Sequence, residues 1–338
     1  MKAGKLPVEL LTDLLDGIKI NDPRVVLGPK TGEDAALIDF GDRYLVAKTD
    51  PITFATDLIG WYVVQINAND LAVMGATPRW LMATAMMPEG TEAEQVREVF
   101  SQLTSACKEL GITLIGGHTE ITYGIDRPLA VGAMLGEVDK DRVVLTSGAR
   151  PGDSIVITKG IAVEGTAILA REASNELAAK GVAADVIDRA AEFLFSPGIS
   201  VVRDASIAVD AVSVHAMHDP TEGGLVGGLL EMALGAGVGL EIDRDRIPVL
   251  PETKSICDAL GLDPLGLIAS GSLLAAVARE DVATLISTLG DSGIPAFEIG
   301  RIADGSHGLR MLTGHGEAAL PRFERDELAR FFGNDDSS

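Results

Sequence analysis

Acidic side chains recur in four predicted turns, where each acid is next to glycine, proline or the end of an element. These are GPKTGEDAA (28–36), KTDP (48–51), NANDLAVMGA (67–76) and HDPTEGG (218–224). Oxygen ligands without cysteine favour Mg²⁺ or a similar hard ion, which is commonly held by one or two carboxylates together with phosphate oxygens. Any one of these acids alone is better explained as a turn former or a helix cap. The set of four predicts a site for a metal ion and a nucleotide phosphate.

Asp70, in NANDLAVMGA, lies inside a predicted helix that is apolar on most faces, with Asn67 one turn before it. A buried carboxylate without a partner is costly, so Asp70 requires one. The partner could be a structural hydrogen-bond network or a metal ion at the exposed end of the helix. The sequence around Asp70 leaves both alternatives open.

The segment GPKTGEDAA has three features of a loop that holds phosphate. Its glycines permit close approach of the backbone, it carries Lys30, and its adjacent acids could anchor a metal ion. It is not a Walker A motif, because no Gly-Lys-Ser/Thr ending follows. Lys30 is therefore a candidate cationic contact to phosphate, and Lys48 in KTDP is a second candidate.

The segment HDPTEGG carries ionisable groups on a predicted turn. A strand predicted to end at Met217 and a helix predicted to begin near Gly223 leave His218, Asp219 and Glu222 between them. Side chains and free backbone N–H groups converge at such a turn, which favours ligand binding there. If the turn only starts a helix, its acids serve the helix dipole instead.

The segment GGHTE (116–120) directly follows a strand predicted over residues 112–115. His118 and Glu120 are then expected at the carboxyl end of that strand, a usual location for ligand contacts in α/β folds. A lone histidine is as often a satisfied structural group, and that interpretation stays open for His118.

Composition limits the classes of function. The chain has 338 residues, 46% of them apolar and 4% aromatic, with a formal charge of −22. That charge repels phosphate backbones and anionic membranes, so neither nucleic acid nor a membrane is an expected partner. Cys107 and Cys257 are too few for a disulfide framework, and the acids that interrupt the apolar positions of residues 1–20 predict an amphipathic helix rather than a signal peptide. The sequence predicts a soluble, cytoplasmic globular protein.

The predicted elements alternate between helices and strands, which favours a mixed α+β fold. We expect helices over 57–75, 91–110 with Thr91 as its cap, and around 165–171, 184–195 and 199–209. We expect strands over 35–40, 44–49, 79–87, 112–115, 128–138, 154–158, 212–217, 238–242, 272–278 and 298–302. The first two strands form a hairpin, Ala35–Thr49, whose unpaired apolar edge is expected to pair with a second copy.

The length predicts two domains. A cluster of glycine, proline and aspartate in TSGARPGDS places the boundary near Arg150. The prediction is an N-terminal domain over 1–150, a C-terminal domain over 151–330, and a polar tail over 331–338.

The order of these motifs resembles the superfamily of aminoimidazole ribonucleotide synthetase. The motifs are GEDAA, a strand ending in TD, NDLAVMGATP, GGHTE, HDPTEGGL and SGSLLAAV, and they span residues 28 to 280. Other members are thiamine-monophosphate kinase, selenophosphate synthetase and the hydrogenase-maturation protein of the HypE type. The resemblance implies a two-domain α+β fold of the PurM-like type, with a C-terminal α+β domain and a dimeric barrel formed by the N-terminal sheets.

The resemblance also implies ATP and Mg²⁺ as cofactors and assigns roles to residues. Asp34, Asp50 and Asp70 match metal-binding acids of the family, and Asp219 matches the acid of its second-domain motif. Glu33 stands where the family usually has an aspartate, and as a longer acid it could still reach the metal. The nucleotide-binding set adds Gly28, Lys30 and Lys48 to the matched Gly116, Gly117 and Thr119. The candidate catalytic residues are His118, His218 and Glu222, as acid, base or substrate contact.

The chain departs from individual members of the superfamily. The HypE type has arginines where this chain has His218 and Glu222, and it modifies a cysteine at its own C-terminus, whereas this chain ends in Asp-Asp-Ser-Ser. Thiamine-monophosphate kinase has an aspartate in place of His118. No reactive cysteine of the selenophosphate type precedes Cys107.

The leading hypothesis is therefore an ATP- and Mg²⁺-dependent phosphotransferase or ligase-type enzyme that acts on an unidentified small substrate as a homodimer. The alternative is a non-catalytic nucleotide-binding maturation or regulatory partner. Measurement of ADP release from ATP with a panel of metabolites distinguishes the two.

Overall fold

The computed structural model describes residues 5–53 and 57–333. The helices are α1 Val8–Asp16, α2 Ile59–Ala72, α3 Ala93–Leu110, α4 Val163–Glu172, α5 Ser174–Ala179, α6 Ala184–Ala191, α7 Val202–Ala211, α8 Gly224–Ala236, α9 Pro251–Leu260, α10 Val282–Asp291 and α11 Glu327–Phe332. The strands are β1 Val25–Leu27, β2 Ala36–Asp39, β3 Arg43–Ile52, β4 Thr77–Pro88, β5 Thr113–Thr122, β6 Leu129–Asp139, β7 Ser154–Thr158, β8 Val214–His218, β9 Gly239–Asp243, β10 Leu274–Val277, β11 Ala296–Ala303, β12 Leu309–Thr313 and β13 Gly316–Ala319. The mixed α+β class is as predicted.

The chain divides into two compact units. The N-terminal unit comprises Ile20–Pro29 and Asp34–Val143, and the C-terminal unit comprises the described residues of Met1–Lys19, Lys30–Glu33 and Val144–Ser338. A single boundary near residue 150 was predicted, whereas the first helix and the segment 30–33 group with the C-terminal unit. Residues 334–338 of the predicted polar tail lie outside the described residues.

The N-terminal unit is a six-stranded sheet with helices packed on it. The strand order is β1-β2-β3-β6-β4-β5, and the pair β4–β5 is parallel. Along β6 and most of β4, buried residues alternate with residues that are half-buried or exposed, as expected of a sheet with one covered face. Helix α2 is buried on nearly all sides, which explains its lack of apolar periodicity.

The hairpin Ala35–Thr49 is present as β2 and β3, but it has no free edge. Strand β1 pairs with β2 and strand β6 pairs with β3 along its whole length. The expectation of an unpaired edge at the hairpin was therefore wrong. The long free edge of this sheet is β5, whose ten residues are almost all exposed.

Strand β5 is longer than predicted. Its parallel pairing with β4 continues through Thr122, so GGHTE lies in the middle of the strand and not at its carboxyl end. Gly116 and Gly117 do not end β5, because β4 provides backbone hydrogen-bond partners on both sides of them. Gly117 (φ 149°) is required there because a Cβ atom would collide with the carbonyl oxygen of Ala83.

Two further local predictions were wrong. KTDP is not a turn, because β3 runs on to Ile52 and pairs with β6 throughout. The cap of α3 is Glu92, in a reciprocal arrangement with Gln95, whereas the Thr91 hydroxyl donates to the Pro88 carbonyl.

The C-terminal unit is a seven-stranded sheet with the order β13-β12-β9-β11-β7-β10-β8. Strand β10 is antiparallel to both neighbours, so the carboxyl ends of β7 and β8 lie at the same sheet edge as the start of β10. At that edge the buried Lys159 ammonium contacts Asp204 (3.2 Å) and the Ser200 carbonyl (2.6 Å). HDPTEGG begins at the same edge, because His218 ends β8.

We predict that Gly117→Ala destabilises the N-terminal unit and that Gly116→Ala does not. An alanine Cβ at 117 must displace backbone of β4, which costs about 1–3 kcal/mol as overpacking does, whereas a Cβ at 116 meets open space. Chemical denaturation of both variants measures the difference. Equal unfolding free energies would contradict this account of the β4–β5 contact.

Candidate functional site

The predicted acids of the N-terminal unit come together from three elements. Asp34 precedes β2, Asp50 lies on β3 and Asp70 lies on α2. Asp34 and Asp70 are buried, with carboxylate oxygens within 4.8 Å of each other. Two carboxylates this close repel each other and favour a cation between them.

Lys48 connects this acid cluster. Its Nζ lies 3.4 Å from Asp70 Oδ1 and 3.9 Å from Asp50 Oδ2. Its side chain is about one quarter exposed, so the ammonium is within reach of a ligand. Lys48 thus partners Asp70, and it stands where a phosphate bound to the acids would meet a positive charge.

Asn67 fixes the position of Asp50 relative to α2. Its side-chain oxygen accepts from the Asp50 N–H (2.9 Å), and its amide donates to the carbonyls of Asp50 (3.2 Å) and Val63 (2.8 Å). Gly132 on β6 leaves room for this amide, since a Cβ there would collide with it. NANDLAVMGA therefore positions both Asp50 and Asp70.

Glu33 lies in the C-terminal unit, in a different environment. Its carboxylate accepts from the backbone N–H groups of Thr146 (3.2 Å) and Ser147 (3.3 Å), and the exposed Lys30 ammonium lies 3.8 Å away. Both oxygens thus cap a short 3-10 helix, Thr146–Gly148. Gly28 follows β1 in the N-terminal unit, where a side chain would collide with Ile20.

The GGHTE residues lie far from the acids within one copy. Asp50, Gly132, Ala83 and Gly117 face one another in successive strands. Three steps between strands correspond to roughly 14 Å. Gly116, Gly117 and Thr119 therefore do not contact the same phosphate as Asp50 within one N-terminal unit.

A cavity of about 430 Å³ adjoins GGHTE. It is lined by apolar residues of α3, β4 and β5, among them Phe100 and Leu103, and by His118 and Thr119. His118 and Glu120 are exposed and contact each other (Nε2 to Oε2, 3.1 Å). This pair is open to solvent on the free edge of the sheet.

HDPTEGG forms the predicted strand–turn–helix in the C-terminal unit. His218 ends β8, the buried Asp219 follows, and Gly223 and Gly224 have left-handed φ angles of 91° and 65° before α8. His218 is also buried, and its Nε2 contacts Glu231 Oε2 of α8 (2.9 Å). The motif is therefore a rigid turn whose acids have fixed directions.

Glu231 was not predicted as a site residue. Its other oxygen accepts from the Lys5 ammonium (3.1 Å), and the backbone N–H of Lys5 donates to Glu222 (2.7 Å). Burial acts to raise the pKa of Glu231, but the Lys5 ammonium and the His218 hydrogen bond outweigh it and hold that pKa well below its usual range. The signal in the sequence is a single charge in an otherwise uncharged helix, which is also the signal at Asp70.

The two cysteines are unsuited to nucleophilic chemistry. Both are buried, and burial raises the pKa of Cys107 to about 11 and that of Cys257 to about 12. Thiols with such values carry almost no thiolate at neutral pH. Neither replaces the reactive cysteine of the selenophosphate type.

These donors fit Mg²⁺ and phosphate. Asp34, Asp50 and Asp70 offer only oxygen, the ligand atom that Mg²⁺ prefers, and Lys48 adds a cation for phosphate. No helix in the described part of the chain combines the length and apolar character that crossing a bilayer requires.

Comparisons with known proteins agree with this architecture. The model of the AIR synthase related protein N-terminal domain matches residues 32–138, and that of the C-terminal domain matches residues 150–311. The chain belongs to the AIR synthase related protein family.

Individual relatives are similar over most of their length. A Methanocaldococcus jannaschii protein, assigned provisionally by name to hydrogenase expression and formation, is 32% identical over 85% of this chain and 84% of its own. The selenide, water dikinase of Geobacter metallireducens is 31% identical over 88% of this chain and 82% of its own. The crystal structure of hydrogenase maturation protein HypE in complex with ATP has a TM-score of 0.73 and 24% identity, covering 97% and 98% of the two chains.

Asp326 is a further site neighbour that sequence reasoning missed. It is 3% exposed, and its Oδ2 accepts from the N–H of Gly223 in the HDPTEGG turn (2.7 Å). Burial raises the pKa of Asp326 to about 6 against the lowering effect of its backbone donors, and the Glu222 carboxylate adds to the rise. The folded protein therefore holds this proton at a pH where the unfolded chain has released it.

We predict that Asp326 makes the unfolding free energy fall as pH rises from about 4 to 6. The folded state binds more protons in that window, so its contribution is fully present below the unfolded pKa and is lost as pH rises through the folded pKa, by on the order of 3 kcal/mol. Urea denaturation of wild type and Asp326→Asn across pH 4–7 isolates this contribution. Parallel stability curves would contradict the raised pKa.

Proposed function

We propose that this protein is an ATP- and Mg²⁺-dependent enzyme that phosphorylates or otherwise activates a small substrate. The observation that supports this most directly is the buried pair of Asp34 and Asp70, with carboxylate oxygens within 4.8 Å of each other and Lys48 beside Asp70. Relatives named as ATP-using enzymes add support, because the family resemblance extends over both units. The cysteine content and charge are consistent with a cytoplasmic enzyme.

The predicted acids and Lys48 have separate roles in this proposal. Asp34, Asp50 and Asp70 hold Mg²⁺, which neutralises phosphate charge when it is bound, and Lys48 contacts phosphate. Asp219 is a further metal-binding acid carried by the C-terminal unit. Glu33 is the weakest member of the set, because its two oxygens already accept from backbone N–H groups.

The proposed reaction transfers the terminal phosphoryl group of ATP to an oxygen of the substrate. The bond from the γ-phosphorus to the bridging oxygen breaks, a bond to the substrate oxygen forms, and ADP leaves. The substrate proton passes to a base, for which Glu222 and His218 are the candidates. The buried His218 is fixed by Glu231, so it serves as a base only where substrate reaches its ring.

A second candidate is a nucleotide-binding maturation or regulatory partner without turnover. The exposed His118–Glu120 pair, far from the acids within one copy, favours a binding role for that segment. ADP release measured with a panel of metabolites separates the two, since a binding-only protein releases none above background.

We propose a homodimer that pairs through β5. This edge carries Ile115 (51% exposed) and Ile121 (53%), and Tyr123 (85%) directly follows it. An exposed apolar edge strand is a template for pairing with another chain. Isologous pairing would join the two sheets, as in the dimeric barrel that the resemblance implies. GGHTE then lies at the interface, and its glycines contact a nucleotide only across subunits.

We predict that ATP binding requires Mg²⁺ and Asp70. At a hundredfold excess over its Kd, Mg-ATP should stabilise wild type by about 2.7 kcal/mol, and EDTA or Asp70→Asn should remove most of this gain. Thermal shift and calorimetry measure it, with Asp39→Asn as the control, because Asp39 ends β2 and pairs with Lys140, which follows β6, and not with Lys48. Undiminished binding in EDTA would exclude the metal assignment.

We predict that Ile121→Lys weakens the dimer. Light scattering of wild type should give about twice the chain mass of 35.3 kDa. The variant dimer should dissociate at a higher protein concentration than wild type, because pairing would bury the introduced ammonium at the edge. Phe40→Lys is the matched control, since Phe40 is exposed (66%) at the turn of the hairpin and away from β5. A monomeric wild type would contradict the proposed pairing.

A further inference from the structure

The turn Thr221–Gly224 depends on contacts from distant parts of the C-terminal unit. The Thr221 carbonyl accepts from the N–H groups of Gly224 (3.0 Å) and Ala269 (3.2 Å). The Gly223 N–H donates to Asp326, more than one hundred residues later in the chain. Gly224 has no space for a side chain, because a Cβ would collide with the carbonyl of Leu265.

Asp326 does more than start helix α11. Its Oδ1 accepts from the Leu328 N–H (2.7 Å), which is an ordinary helix cap. A serine or asparagine could provide that cap without burying a charge. The second oxygen, bonded to Gly223, is what a carboxylate adds, and a buried carboxylate is costly unless its oxygens accept hydrogen bonds.

The rest of α11 holds Asp326 in place. Glu327 accepts from the Asp263 N–H (2.9 Å), and Arg330 donates to Glu327 (2.7 Å) and to the Gly261 carbonyl (2.8 Å). These contacts fix α11 against the segment before β10. The acceptor for Gly223 is therefore supplied by a rigid element.

We propose that Asp326 is a positioning residue for nucleotide binding, which it supports by fixing the HDPTEGG turn that carries Asp219 and Glu222. It acts through the Gly223 N–H and does not itself touch the ligand. The left-handed Gly223 and Gly224 have many alternative conformations, and the bond to Asp326 selects one of them. The effect on nucleotide binding rests on the proposed function, whereas the effect on the turn does not.

Asp326→Ser separates the two roles of this carboxylate. Serine keeps the cap on Leu328, but its single short hydroxyl cannot also reach Gly223. Arg330→Met is the matched control, because it removes the contact with Gly261 while Glu327 still accepts from the Asp263 N–H and the Asp326 bonds to Gly223 and Leu328 remain. Asp326→Asn is the second variant should serine fold poorly, since it has one accepting oxygen for two donors.

The readouts are amide hydrogen exchange at Gly223 and the Kd for Mg-ATP. We expect Asp326→Ser to exchange Gly223 at least about tenfold faster and to bind Mg-ATP about tenfold more weakly, as loss of a hydrogen bond to a charged group implies. Arg330→Met should lower the melting temperature but leave both readouts within about twofold of wild type.

Unchanged Gly223 exchange in Asp326→Ser and Asp326→Asn would overturn the positioning role. So would faster exchange with an unchanged Kd, because the turn would then not matter for binding. A wild type that binds no Mg-ATP marks the failure of the proposed function instead, and with it the effect on binding, whereas Gly223 exchange still decides whether Asp326 fixes the turn.

Discussion

The cost of burying negative charge is the constraint on which this structure depends. The chain carries a net charge of −22 and yet buries Asp34 and Asp70 with oxygens within 4.8 Å of each other. Mutual repulsion and loss of hydration both oppose this arrangement, and the Lys48 ammonium 3.4 Å from Asp70 acts against that repulsion. A site of this kind is suited to a divalent ion that brings phosphate with it.

Other buried acids resolve the same cost in a different way. Glu33 and Asp326 each accept from two backbone N–H groups, and Glu231 has an ammonium and an imidazole as partners. Backbone donors stabilise a carboxylate without occupying a ligand position. Acids that shape turns and caps thus differ from Asp34 and Asp70, whose oxygens lie close enough together to share an ion.

The two edge strands of the N-terminal sheet, β1 and β5, differ in length and exposure. Strand β1 has three residues, whereas β5 has ten and exposes Ile115 and Ile121. Natural sheets normally shorten, charge or cover such an edge. A long apolar edge that carries two glycines and a His–Glu pair is suited to contact with another chain or a ligand, and less suited to a role in the core of one copy.

The sequence by itself determined the α+β class, most of the strands and helices, and the strand–turn–helix at HDPTEGG. These follow from local periodicity and from glycines that end helices, which act over a few residues. It also determined that Asp70 needs a partner, because one acid in an apolar helix is costly wherever the helix packs. The order of the motifs, which resembles that of a known superfamily, then connected motifs that local patterns could not relate to one another.

Only the tertiary structure decided which acids meet and which edge is free. GGHTE looked like the end of a strand until β4 was seen to continue the ladder past it, and the hairpin looked open until β1 and β6 were seen on either side. Asp326 was not singled out by any local pattern, because its partner Gly223 is 103 residues away. Contacts between segments far apart in the sequence depend on packing in three dimensions, so local sequence patterns do not predict them.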